Sequence, residues 1–239
     1  MASINVHIFR EYDIRGIADK DLPPDIVKDL GRACGTYFRK NGKRKIALGM
    51  DCRLSSRRIM EDIRKGLMDT GCQVVELGMV PTPLLYFGLY VLEVDGGIQI
   101  TGSHNPPDNN GLKVCLGKTT IYGEEIQKIR KIMESREFER GDGSSSQEDV
   151  LKRYRSYVLN SLSCGPVKRR VVVDAGNGVG GLVGPAIYRE MGMDVKEIFC
   201  EPDGNFPNHH PDPTVPDNLK VLIEQVTQNG ADLGIAFDG

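Results

Sequence analysis

The sequence has no run of about 18 apolar residues, so no segment reads as a membrane-spanning helix. Its opening stretch, MASINVHIFREYDIRG, lacks the basic-then-apolar layout of a secretory signal. It also lacks a charge excess. Lys plus Arg is 31 and Asp plus Glu is 33, a formal charge of −2, which argues against a dedicated nucleic-acid binder. The six cysteines, Cys34, Cys52, Cys72, Cys115, Cys164 and Cys200, include no C-x-x-C pair. That spacing offers no zinc or redox motif, and scattered thiols beside strands fit the reducing cytoplasm, which is the expected location.

Three signatures are missing as well. No G-x-S-x-G elbow surrounds a serine, so a hydrolase triad is not supported. The glycine-rich run Asp174-Ala-Gly-Asn-Gly-Val-Gly-Gly181 fits neither G-x-G-x-x-G nor the Walker pattern with its lysine. It reads as close strand–helix packing rather than a nucleotide site. The adjacent His209 and His210 lie in a proline-stiffened loop and read as structural.

What is present is an ordinary globular composition, 39% hydrophobic and 27% charged, over 239 residues. That length makes one large or two small domains. Strand and helix alternate twice. A helix runs from Asp25 with Ile26, Leu30, Ala33 and Tyr37 on one face and ends at Asn41-Gly42. Lys45–Met50 reads as a buried strand, and Ser55 as the cap of a helix to Asp69. Further strands fall at 72–77, 97–101, 169–174 and 233–237. Further helices start near Thr82, run from Glu124 to Glu134 and from Tyr154 to Leu162, and follow a capping Asp217.

Between the two halves, Arg140-Gly-Asp-Gly-Ser-Ser-Ser146 reads as a flexible connection, giving domains at 1–147 and 148–239. IALGMDCR and VVVDAGNG each form a strand followed by an Asp-bearing loop, a helix, a glycine and another strand. The expected fold class is therefore α/β, with two tandem related domains whose mixed sheets are flanked by helices. The sequence stops at a carboxylate and a glycine just past a strand. Ligand loops sit at such ends, so the second domain reads as incomplete and the sequence as part of a longer protein.

The loop Thr101-Gly-Ser-His-Asn-Pro-Pro-Asp-Asn-Asn-Gly111 carries the clearest chemistry. Gly102 permits close backbone approach, and Pro106 and Pro107 stiffen the second half of the loop. Ser103 is thus a hydroxyl on a rigid loop at a strand's carboxyl end, with His104 and Asn105 beside it and Lys113 a short way on. The local residues fit a nucleophile or phosphoryl acceptor, and equally a polar turn that satisfies its own backbone. Phosphoryl transfer suits them better than a triad, because neighbouring side chains diverge and His104 cannot serve Ser103 as a base. Phe9-Arg-Glu-Tyr-Asp-Ile-Arg-Gly16 adds guanidiniums beside a turn, either a phosphate fork or a solvated edge strand. Asp238 is a hard oxygen donor suited to Mg²⁺, though one carboxylate does not make a metal site.

Together, FREYDIRG (9–16), TGSHNPPDNNGLK (101–113), VVVDAGNGVGG (171–181), EPDGNFPNHHPDPTVPDNL (201–219) and GIAFDG (234–239) resemble the α-D-phosphohexomutase superfamily, in particular its phosphomannomutase/phosphoglucomutase branch. They stand in the family's order and span nearly the whole sequence. The resemblance implies four domains in a complete enzyme, of which this sequence holds the first and most of the second. It implies a phosphoserine at Ser103 flanked by His104 and Asn105, an active-site lysine at Lys113, and phosphate contacts from Arg15 and Tyr12. It implies Mg²⁺ held by Asp238 and the Ser103 phosphate, and a hexose 1,6-bisphosphate as activator and intermediate. The remaining aspartates and the arginine of the family's D-x-D-x-D-R metal loop are absent, as are its sugar-recognition and C-terminal phosphate-binding domains. The expected function is a phosphosugar mutase interconverting hexose 1- and 6-phosphates of mannose or glucose, with this chain alone inactive. The alternatives are a non-catalytic phosphate-binding or scaffolding fragment and a phosphoglucosamine mutase. The expected partner is a small phosphosugar, with no nucleic acid or membrane, and the chain is expected to be a monomer.

Overall fold

The computed structural model describes residues 4–239, and the chain divides into two compact units, the first ending at Glu148 and the second beginning at Asp149. In the first unit the order is β1 (Ile14–Ile17), α1 (Pro24–Lys40), β2 (Lys45–Met50), α2 (Ser56–Asp69), β3 (Gln73–Met79), α3 (Thr82–Val91), β4 (Gly96–Ile100), β5 (Asn109–Leu116), β6 (Thr119–Thr120), α4 (Glu124–Ser135) and β7 (Ser144–Gln147). One mixed sheet runs β1-β5-β4-β2-β3-β7, with β6 on β5. β2 pairs parallel to β3 and β4, whereas β5 runs antiparallel to β4 and β1.

Successive strand residues face opposite sides of a sheet, and β4 shows which helices cover each side. A Cβ on Gly96 would meet the Phe38 ring of α1 at 3.0 Å, and one on Gly97 would meet Leu85 and Leu89 of α3 at 3.1 Å. Thus α1 and α3 lie on opposite faces. The main core joins Ile98, Ile100, Ile46 and Leu48 of the sheet to Leu30 and Phe38 of α1, Ile63 of α2 and Ile129 of α4. Fully burying one such Leu or Ile contributes about 1.5–3 kcal/mol. Helices α1 and α2 approach through glycine. A Cβ on Gly66 would come within 2.3 Å of the Lys28 carbonyl, and one on Gly31 within 2.6 Å of the Ile63 carbonyl.

Three local expectations change. Ser55 precedes α2 but makes no side-chain cap bond. Its Oγ accepts from Asn110 Nδ2 at 2.8 Å instead. The segment read as a flexible Gly/Ser connection contributes β7, which pairs in parallel with β3 from Gln73↔Ser144 to Glu76↔Gln147. The polar loop after β4 is also shorter than read, because Asn109 already starts β5.

The second unit contains α5 (Val150–Ser161), β8 (Arg170–Asp174), α6 (Gly184–Glu190), β9 (Asp194–Ile198), α7 (Lys220–Gln228) and β10 (Leu233–Ala236). Its parallel sheet runs β10-β8-β9. Asp217 lies in a 3₁₀ turn, Pro216–Leu219, and the residue capping α7 is Leu219. The core here is small: Val171, Val173, Ala175 and Cys200, joined by Ile235 and Phe237. No helix among the described residues is long and apolar enough to cross a membrane.

Candidate active site

The serine loop leaves the carboxyl end of β4, beside the end of β2. Both strands are internal to the sheet, so their ends are fixed by neighbours on either side. β2 continues into Asp51, whose amide donates to the Ile100 carbonyl at 2.9 Å. The Asp51 carboxylate is 3% exposed and fully used. It accepts the Arg53 amide at 3.0 Å, the Gly102 amide at 3.2 Å and the Ser56 hydroxyl. Asn110 bonds both Ser55 and Ser56 at 2.8 Å, which ties the start of β5 to the start of α2.

Arg53 then turns under the loop. Its side chain is 0% exposed, with Nε 3.3 Å from Asp51 Oδ2. One terminal nitrogen donates to the carbonyls of Ser103 and Asn105, both at 2.6 Å. The other donates to those of Pro106 at 2.6 Å and Asn109 at 3.0 Å. Burial draws the Arg53 pKa down from its ordinary value and the Asp51 charge opposes that shift; a guanidinium nonetheless keeps its proton. Sequence reasoning missed this pair. The only signal was D-C-R straight after a buried strand, and a lone arginine there usually faces solvent.

Ser103 sits half-buried at φ 51°, a left-handed conformation uncommon for residues other than glycine. Its amide is held by Thr101 Oγ1 at 2.9 Å. His104 and Asn105 are half-buried in the same loop, and the Asn105 amide closes a turn onto the Gly102 carbonyl at 3.0 Å. Arg15 pairs with Gly111 in register, and Lys113 lies two residues beyond Gly111, so Arg15 and Lys113 share one sheet face. Arg15 is 9% exposed. One of its terminal nitrogens reaches Asp13 at 2.5 Å, whereas its buried Nε has no hydrogen-bond partner among the described residues. A buried donor left unpaired is unfavourable by about 1–3 kcal/mol. Tyr12 is 72% exposed in the turn before β1.

Asp238 belongs to the second unit, just past β10. Among the described residues no group of three or more His, Cys, Asp or Glu comes together to hold a metal. Mg²⁺ demands near-octahedral oxygen coordination, and Asp238 gives it one carboxylate. The side chains of the described residues therefore do not complete such a site.

Asp174, 1% exposed at the end of β8, accepts the Gly176 amide at 2.8 Å and meets His209 Nε2 at 3.0 Å. His209 Nδ1 lies 2.9 Å from the His210 carbonyl. The glycine-rich run makes room for this proline loop. A Cβ on Gly176 would meet Pro211 at 3.1 Å and His209 at 3.2 Å, and the Gly239 amide donates to the Pro211 carbonyl at 3.1 Å.

Residues 6–140 match phosphoglucomutase/phosphomannomutase alpha/beta/alpha domain I, and residues 152–239 match domain II of the same enzymes. This chain belongs to the phosphoglucomutase/phosphomannomutase family. A phosphomannomutase/phosphoglucomutase of Pseudomonas aeruginosa PAO1 is 46% identical over 97% of this chain and 50% of its own length. A phosphoglucomutase of Neisseria gonorrhoeae is 46% identical over 100% of this chain and 52% of its own. The crystal structure of a phosphoglucomutase/phosphomannomutase family protein from Burkholderia thailandensis superposes with a TM-score of 0.96 at 40% identity, covering 99% of this chain and 53% of that one. The chain thus spans about half the length of the curated relatives it matches.

Proposed function

We propose that this chain carries the phosphoryl-accepting part of a phosphosugar mutase, with Ser103 as the residue phosphorylated. In that reaction the bond between Ser103 Oγ and phosphorus breaks as a bond from phosphorus to a free hydroxyl of mannose or glucose phosphate forms. The sugar hydroxyl gives up its proton to Lys113, which passes it to the departing Ser103 Oγ, while His104 flanks Ser103 in the loop. The resulting hexose 1,6-bisphosphate turns over and returns its other phosphoryl to Ser103. Arg15 and Lys113 hold the phosphate oxygens, Asn105 and Tyr12 adding polar contacts. Such chemistry needs positioning and charge neutralisation more than covalent help from the protein. Mg²⁺, when bound, would supply further neutralisation, and Asp238 is the carboxylate this chain offers it.

The observation that supports the reading best is the state of Ser103: a half-buried serine in a left-handed turn, on a loop whose backbone is gripped from beneath. Incubating the chain with glucose 1,6-bisphosphate and measuring intact mass tests it. The expected result is a gain of roughly 80 Da, one phosphoryl, in the wild type and none in Ser103→Ala. Equal uptake by both proteins, or by neither, contradicts the assignment.

A further inference from the structure

We propose that Arg53 is a positioning residue for phosphorylation of Ser103: its buried guanidinium gathers the loop carbonyls and so fixes where the serine hydroxyl stands. The proposal rests on the phosphoserine reading above. It begins from the four carbonyls. Those of Ser103, Asn105, Pro106 and Asn109 converge on one guanidinium within 3.0 Å. Converging carbonyl dipoles repel one another, so this loop conformation needs a cation at its centre. The four N–H groups on the two terminal nitrogens match the four acceptors in number. A lysine brings three donors on one atom and cannot reproduce that fork.

The grip has two sides. Asp51 holds the Gly102 amide, just before Ser103, while Arg53 holds the Ser103 carbonyl and three carbonyls after it. Asp51 and Arg53 are themselves paired, so both sides move as one body. Gly102 is part of the same device. A Cβ there would lie 2.5 Å from Arg53 Cζ and Nε, so only glycine lets the guanidinium pack flat beneath the loop. A non-glycine residue stays in the left-handed region only when its surroundings hold it there, and Ser103 has its own carbonyl and amide both bonded. Arg53 therefore acts on the backbone that carries the hydroxyl, and its four terminal N–H groups are spent on the loop.

The test compares wild type with Arg53→Lys in the intact chain by two readouts. One is hydrogen exchange of the 102–110 loop against β3. The other is the rate of Ser103 phosphorylation by glucose 1,6-bisphosphate, followed by mass as a function of concentration. A displacement of about 1 Å at a reacting group lowers rates about 10²-fold, so uptake should slow on that order at saturation with an unchanged half-saturating concentration. Loop exchange should quicken about tenfold while β3 is unmoved. Gly102→Ala, which keeps Arg53 and Asp51 in the sequence but pushes the guanidinium off the loop, should move both readouts the same way and decides the matter if Arg53→Lys does not fold. A folded variant whose loop exchanges as slowly as wild type, or which takes phosphate as fast, overturns the proposal. If wild type itself takes no phosphate, the phosphoserine reading falls and loop exchange alone decides the clamp.

Discussion

The two units repeat one arrangement and spend it differently. In each, a central parallel strand is flanked by the next two parallel strands: β2 by β3 and β4, β8 by β9 and β10. Each central strand ends in a buried aspartate that accepts the amide two residues on, Asp51 from Arg53 and Asp174 from Gly176. At the opposite end, Asp95 accepts the amides of Arg44 and Lys45, and Asp232 accepts that of Arg170. The registers make Thr101 equivalent to Ala236, because the pairing Met50↔Ile100 continues to Asp51 as Asp174 pairs with Ala236. Two residues further on stand Ser103 in one unit and Asp238 in the other. The same strand end thus presents a hydroxyl in the first unit and a carboxylate in the second. The partner of the strand-end aspartate differs as well: a buried guanidinium under the serine loop, and a half-buried imidazole supplied by the proline loop itself. A repeated backbone can acquire separate chemistry by changing which residue comes after the strand and which side chain braces it.

The largest expected contrast comes from removing the two aspartates. Asp51→Ala strands a fully buried guanidinium and should destabilise the first unit by about 3–5 kcal/mol. Asp174→Ala removes only a hydrogen-bond partner from His209, which is not sealed from water, and the loss in the second unit should be about 1–2 kcal/mol. Urea unfolding followed by hydrogen exchange of each unit measures both; equal losses would mean that the two braces are energetically alike. Next comes the glycine contact between α1 and α2 in the first unit. Gly66→Ala forces a methyl toward the Lys28 carbonyl, and should lower the stability of the first unit by about 1–3 kcal/mol with the second untouched. A neutral substitution would show that the helices separate freely.

The smallest effect concerns acid. Burial pushes Asp95 up, but the Lys45 and Arg44 amides more than reverse this and hold it below its usual pKa. In Asp232 the Arg170 amide does the same. A carboxylate with a depressed folded pKa contributes stability that is present above its unfolded value, about 3.9, and is lost as pH falls through the folded pKa. Asp95→Asn should therefore flatten the acid limb of the first unit's stability curve, and Asp232→Asn that of the second by less, because its carboxylate is more open to water. Stability measured from pH 6 down to pH 2 checks the order, and a steeper acid limb in either variant would reverse the sign.

Much of the fold is legible in the sequence. The α1 periodicity of Ile26, Leu30, Ala33 and Tyr37 is buried as read, and Lys45–Met50 is β2 residue for residue. The family's motifs also locate the serine loop and the Asp238 strand end. The features that escape reading are set by partners distant in sequence. β5 begins with Asn109-Asn110-Gly111, which looks like a turn, yet the edges of β4 and β1 recruit it. Ser144–Gln147 has no apolar face and is a strand because β3 offers an open edge. Ser55 has the chemistry of a cap, but Asn110 takes its oxygen. Arg53 is recognisable only once carbonyls some fifty residues away are brought above it.

The account turns on Ser103 as the phosphoryl carrier, and fragmentation mass spectrometry of the peptide spanning 101–113 tests it most directly. After incubation with glucose 1,6-bisphosphate, the phosphoryl should reside on Ser103 and on no other hydroxyl of that peptide. Phosphate at Thr101, or an unmodified peptide from a folded chain, would contradict it.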